Sequence, residues 1–157
     1  MRMGTIVSGL GRGLGVALAL AMPADVHAQA VADPASAALL EAEAVRLQDQ
    51  PSRWADVVSL YRSAAALRQQ EDPQARQDLF VAANLAYQLG DLATAVDALE
   101  SAGSRAMSAG DAVFASQMFA NAAQIADEAG LVDHERRLRT RVAELATAAD
   151  EQRRGRS

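Results

Sequence analysis

The 157-residue chain contains no cysteine. That excludes a disulfide framework, a thiolate metal site, a cysteine nucleophile and the acylated cysteine of a bacterial lipoprotein. Lysine is missing too, and all fifteen basic residues are arginine. Aromatic residues make up only 4% of the chain, so large rings cannot dominate a core. Histidine occurs twice, as His27 and His134. Three and four places beyond His134 stand Arg137 and Leu138, so no helix face there offers a metal-binding pair. Glycine-rich phosphate loops, HExxH, GxSxG and acidic calcium loops are all absent from the sequence. These absences lead us to expect a non-enzymatic protein with no metal and no cofactor.

What the chain has is alanine, 37 residues of it, within a hydrophobic content of 50%. Alanine has the best helix propensity and no side-chain entropy to lose. β-Branched residues are sparse after residue 35. An all-α fold with a thin, closely stacked core is therefore expected.

The first thirty residues read as an address. Arg2 and Arg12 precede an apolar run of nine residues, Leu14 to Met22, which Pro23 breaks. Two overlapping small-x-small patterns follow, Val26-His27-Ala28 and Ala28-Gln29-Ala30. This is the layout of a secretory signal peptide, and the run is far short of the about 20 apolar residues of a membrane span. The expectation is a protein exported to the periplasm or beyond, cleaved near Ala28 or Ala30 and not stably inserted in the membrane. An uncleaved anchor is the alternative. Residues 31–132 carry 14 acids against 6 arginines, whereas 133–157 carry 5 against 7. The acidic body argues against nucleic acid as a partner, because a phosphate backbone requires a basic face. The short basic tail, 153–157, reads as a disordered end.

Punctuation divides residues 31–152 into six helices, roughly 34–48, 52–69, 73–89, 92–106, 112–129 and 132–152. Asp33-Pro34 and Asp72-Pro73 each supply an N-cap followed by proline at the first helical position. Gly90-Asp91 and Gly110-Asp111 each end one helix and cap the next, and Gly130 ends a fifth, with Asp133 near the following start. Gly103 weakens the fourth helix and makes its end the least certain. Short connections imply that consecutive helices pack antiparallel.

The helical stripes repeat. Val57, Tyr61 and Ala64 fall on Ala95, Leu99 and Ala102 at an offset of 38. Ala82, Ala83, Leu85, Ala86 and Gly90 fall on Ala122, Ala123, Ile125, Ala126 and Gly130 at an offset of 40. Ala44, Val45 and Leu47 fit opposite Ala82, Ala83 and Leu85 more loosely. A period near 40 holding two helices is the signature of a helical solenoid. On that reading the Gly90-Asp91 and Gly110-Asp111 turns are similar but not equivalent, one inside a repeat and one between repeats.

These residues resemble the tetratricopeptide repeat: Ala82 and Ala83, the Gly90-Asp91 turn, Leu92, then Ala95, Leu99 and Ala102, preceded by Trp54, Val57, Tyr61 and Ala64. The resemblance spans about 36–147. It departs from the pattern at the last helix, where Glu135 stands in a small residue's place, and in its period, which exceeds the family's 34 residues. It implies about three antiparallel hairpins stacked as a short solenoid, with a generic Ala-rich helical bundle as the alternative. It also implies a concave groove lined by the first helix of each repeat, holding a peptide or protein partner. By position that face takes Arg46 and Asp49, then Phe80, Asn84 and Tyr87, then Gln117, Asn121 and Gln124. Asn84 and Asn121 stand where peptide-binding relatives hold a ligand's backbone or terminal carboxylate. The basic residues that complete a carboxylate clamp are missing, with Phe80 in lysine's place, so a charged C-terminal tail is not the expected ligand. The alternatives are that Phe80 packs inside with the amides simply solvated, or that copies of the chain assemble end to end, acidic body against Arg136, Arg137, Arg139 and Arg141.

Overall fold

Aspartate starts four of the helices, as its spacing before Pro, Leu and Ala predicts. In the computed structural model, which describes residues 32–154, Asp33 Oδ1 accepts from the Ser36 N–H (3.1 Å) and Asp72 Oδ1 from Gln74 (2.8 Å). Asp91 and Asp111 do the same for Thr94 (3.1 Å) and Phe114 (3.0 Å). Each such cap satisfies a backbone donor that has no partner within the helix. Six α-helices result: α1 Pro34–Leu47, α2 Trp54–Ala66, α3 Pro73–Gln88, α4 Leu92–Ser108, α5 Ala112–Glu128 and α6 Val132–Arg154. A 3-10 turn, Pro51–Arg53, leads into α2. There is no strand among the described residues, and no helix among them is long and apolar enough to cross a membrane. The expected leader lies outside the described residues.

Three helix C-terminal ends differ from expectation by two residues or more. α2 stops at Ala66, not 69: Pro73 forces Asp72 into an extended conformation (ψ 119°), and Arg68 turns inward to meet carboxylates. α4 runs through Gly103 to Ser108, because tertiary packing there favours the absence of a side chain. α6 continues to Arg154, so the first two residues of the expected disordered tail are helical. It begins at Val132, as expected, with Asp133 in its first turn.

Three connections share one geometry. Gly90, Gly110 and Gly130 have φ of 77°, 76° and 69°. In each, the glycine N–H and the next residue's N–H bond back into the last turn, as Gly90 to Tyr87 O (2.9 Å) and Asp91 to Ala86 O (2.9 Å). This pair of bonds is the Schellman motif, and positive φ is why glycine stands there. Locally the turns at 90 and 110 are alike. The chain from α3 onward is thus a helix-and-turn unit repeated every twenty residues, with successive helices reversing direction.

Packing is principally between helices consecutive in sequence. The offsets seen in the sequence reappear as burial. Val57, Val58, Tyr61 and Ala64 of α2 and Ala95, Val96, Leu99 and Ala102 of α4 are all buried, 38 residues apart. Ala75, Asp78, Leu79, Ala82, Ala83 and Ala86 of α3 correspond to Ala115, Met118, Phe119, Ala122, Ala123 and Ala126 of α5, all buried, 40 apart. Most of this core is alanine, so dispersion between closely approaching helices replaces the burial of large side chains. The first helix follows the repeat only through Ala37, Ala44 and Leu47. Val45, aligned with buried Ala83, is 53% exposed, because α1 is the first helix of the stack and no other described element packs on its far face.

Alternate helices are tied by polar contacts. Arg68, just beyond α2, donates to Glu41 of α1 (Nε–Oε1 2.8 Å) and to Asp72 (3.1 Å), and lies 3.7 Å from buried Asp78 of α3. Arg105 of α4 donates to Ala65 O and Gln69 O, both at 2.8 Å, closing the C-terminus of α2. Desolvation holds the Arg105 guanidinium below its usual value, against the attraction of Asp72 and Glu71. Arg137 of α6 meets Glu100 of α4 at 2.9 Å.

Candidate functional site

α3 and α5 run side by side in the same direction and are pinned at both ends. At their N-terminal ends Arg76 Nη1 donates to Asp111 Oδ2 (3.0 Å), with its guanidinium 5.4 Å from the Phe114 ring centroid. At their C-terminal ends the Tyr87 hydroxyl donates to Glu128 Oε2 (3.0 Å). That carboxylate holds the phenol above its usual value. Between these ties lies a groove of about 260 Å³ with Ala83 and Leu99 at its base.

Five of the eight residues expected on the partner face line this groove: Phe80, Asn84 and Tyr87 on α3, with Asn121 and Gln124 on α5. The 3.6-residue helical period brings residues four and three apart to one face, and the parallel course of α3 and α5 brings the two faces together. Phe80 is half-buried, packing on the core while lining the groove, so the two expectations for it are compatible. Asn84, Asn121 and Gln124 are exposed. Each amide both donates and accepts, as an extended peptide backbone requires.

Three expected members lie elsewhere, among them Asp49, exposed in the turn after α1. Arg46 of α1 is bound to Glu43 on its own helix (2.6 Å) and remains well exposed. Gln117, one turn before Asn121, lines a separate crevice between α5 and α6 with Val113 and Leu145. Position on a helix could not reveal this, because the crevice depends on where α6 leaves α5. Glu128 was not anticipated as a lining residue. Its spacing of four from Gln124, whose amide donates to it at 3.3 Å, is the signal that could have found it.

A larger hollow of about 620 Å³ lies on the opposite side, between α2 and α4. Of its charged residues, Arg105 is engaged by the Ala65 and Gln69 carbonyls and Glu100 by Arg137, while Arg62 and Asp97 are exposed. The amides of the smaller groove face solvent, which makes it the better candidate for a ligand despite its volume. His134 is half-buried in the first turn of α6, and no group of three or more His, Asp or Glu among the described residues is arranged to hold a metal ion. No family model, curated protein or solved structure matches the chain.

Proposed function

We propose that the chain is a non-enzymatic interaction module of the bacterial cell envelope, exported by its leader, that holds a partner protein segment in the α3–α5 groove. The observation that carries this reading is the convergence of Phe80, Asn84, Tyr87, Asn121 and Gln124 on one groove of set width. The tetratricopeptide-like pattern agrees with it, as do the packing of consecutive helices and the burial repeated at offsets of 38 and 40. Two ties across alternate helices keep the groove open before a ligand arrives, which lowers the ordering cost of binding.

The test is capture from the protein's own envelope extract with wild type and with Asn84→Ala/Asn121→Ala. Both residues are exposed, so folding is retained. A partner retained by wild type is expected to fall by about tenfold or more with the double variant, the loss of two buried hydrogen bonds at the interface. Equal capture removes the groove from consideration. N-terminal sequencing of the same material checks export, and a chain still beginning at Met1 contradicts it.

Self-assembly is favoured by one observation. The outer face of α1 leaves Leu39 72% and Val45 53% exposed beside Ala38 and Ala42. The charge-driven version has less support, since Arg136, Arg137 and Arg139 already meet Asp133, Glu100 and Glu135 of their own chain. Association through α1 predicts a dimer by light scattering that Leu39→Glu with Val45→Glu returns to monomer. A monomeric wild type at every protein concentration rules it out.

A further inference from the structure

We infer that the segment held by the α3–α5 groove is basic: it sets an arginine or lysine side chain against Glu128 and an apolar side chain against Phe80 and Ile125. This deepens the groove reading above and rests on it. Among the described residues that line the groove, Glu128 is the sole charged side chain. It is the last residue of α5, and its partner Tyr87 lies in the last turn of α3, so both helices direct their C-terminal ends to the same place. A helix C-terminus carries partial negative charge and favours a cation nearby. α1 and α4 follow that rule, with Arg46 and Arg105 in their last turns. α3 and α5 have no basic residue there, and α5 instead ends on Asp127 and Glu128. Two helix ends and a carboxylate thus form a concentrated negative site at one end of the groove.

The donors that Glu128 accepts from, the Tyr87 hydroxyl and the Gln124 amide, are both neutral. They orient the carboxylate without neutralising it. A carboxylate has about four acceptor positions, and two are used here, so a guanidinium or ammonium can add its own bonds. Beside it the Tyr87 ring is 45% exposed and offers a flat face on which a cation is attracted. Toward the middle the groove turns apolar, with Phe80, Ile125 and Leu99, while Asn84 and Asn121 remain for the ligand's backbone. The net charge of the body, 14 acids against 6 arginines over residues 31–132, steers a basic segment toward the same surface.

The test uses the purified protein and two capped, fluorescently labelled peptides, in which leucine and serine alternate around one central residue. That residue is arginine in one and citrulline, its uncharged isostere, in the other. Fluorescence polarisation is expected to show about tenfold weaker binding of the citrulline peptide. Glu128→Gln keeps an acceptor for Tyr87, and should bind both peptides equally and only as well as wild type binds citrulline. Added salt should weaken the arginine peptide alone. Equal affinity of wild type for the two peptides overturns the charge assignment and leaves the groove reading standing. Binding that is absent, or that survives Asn84→Ala with Asn121→Ala unchanged, overturns the groove reading as well.

Discussion

Phe119→Ala is expected to remove about 3–5 kcal/mol of folding stability, a large share of the roughly 5–15 kcal/mol available to a domain of this size. Phe119 is fully buried and is the largest such side chain in a core made mostly of alanine, so the surrounding helices have few long side chains with which to close the cavity. Its ring lies over Gly103 of α4: a Cβ built at Gly103 would stand 2.7 Å from Phe119 Cε1 and 2.9 Å from Cδ1. The Arg141 guanidinium sits 5.5 Å from the ring centroid and restricts the ring's retreat. In the wild-type background Gly103→Ala should therefore destabilise by about 1–2 kcal/mol, since overpacking outweighs the gain in helix propensity. In the Phe119→Ala background the sign reverses. The new methyl enters vacated space and the propensity gain of about 1 kcal/mol emerges. A double-mutant cycle by urea unfolding, read by circular dichroism, measures this. Additive effects of the two substitutions would show that ring and glycine are not coupled.

The second large effect concerns the polar cluster between α1, α2 and α3. Arg68, 12% exposed, faces Glu41, Asp72 and Asp78, and Asp78 is 1% exposed. Arg68→Met strands three carboxylates, two of them half-buried and one fully buried, and should cost about 3–5 kcal/mol at neutral pH. The reverse substitution behaves differently. Asp78 Oδ2 has no hydrogen-bond partner, while Oδ1 accepts from the Gln74 amide at 3.0 Å. Burial pushes the Asp78 carboxyl up to about 6, with the Glu41 charge adding to it, against the Gln74 hydrogen bond and Arg68. A carboxyl raised in the folded state from its ordinary 3.8 binds its proton more tightly folded than unfolded. Its stabilising contribution is complete below 3.8 and is lost as pH rises through 6. That is on the order of 2–3 kcal/mol across the window.

Asp33 and Asp91 have the opposite sign. Hydrogen bonding at their caps, first from the Ser36 and Thr94 side chains, holds both below their usual value, so their contribution is lost as pH falls into the acid range. Wild type should therefore gain stability from pH 7 to about 5 and lose it again at lower pH. Asp78→Asn should flatten the first limb and be neutral or stabilising at pH 7. A chemical-denaturation series across pH measures both, and an unchanged slope in Asp78→Asn would exclude Asp78 as its source.

Local chemistry made much of the fold legible in the sequence. Capping is a matter of neighbouring residues, so Asp33, Asp72, Asp91 and Asp111 could be read directly, and so could the helix-ending glycines. Burial follows the 3.6-residue period, which is why the stripe at an offset of 38 and the alanines of the one at 40 are buried, while Leu85 and Ile125 are only half-buried. Five groove residues were placed by the resemblance to the tetratricopeptide repeat, and each falls on one face of α3 or α5.

Tertiary structure decided whatever depends on elements far apart in the chain. Gly103 reads as a helix breaker until the Phe119 ring occupies the space above it. Val45 reads as core until α1 proves to be the first helix of the stack. Arg68, Arg76, Arg105 and Arg137 look like solvated charge in a linear chain, yet each reaches across to a partner 27 to 40 residues away. Glu128 lines the groove only because α3 and α5 end side by side. Helix identity and the buried face are set by interactions within a few residues. Which charges meet, and which stay uncompensated at the groove, is set by how the helices stack.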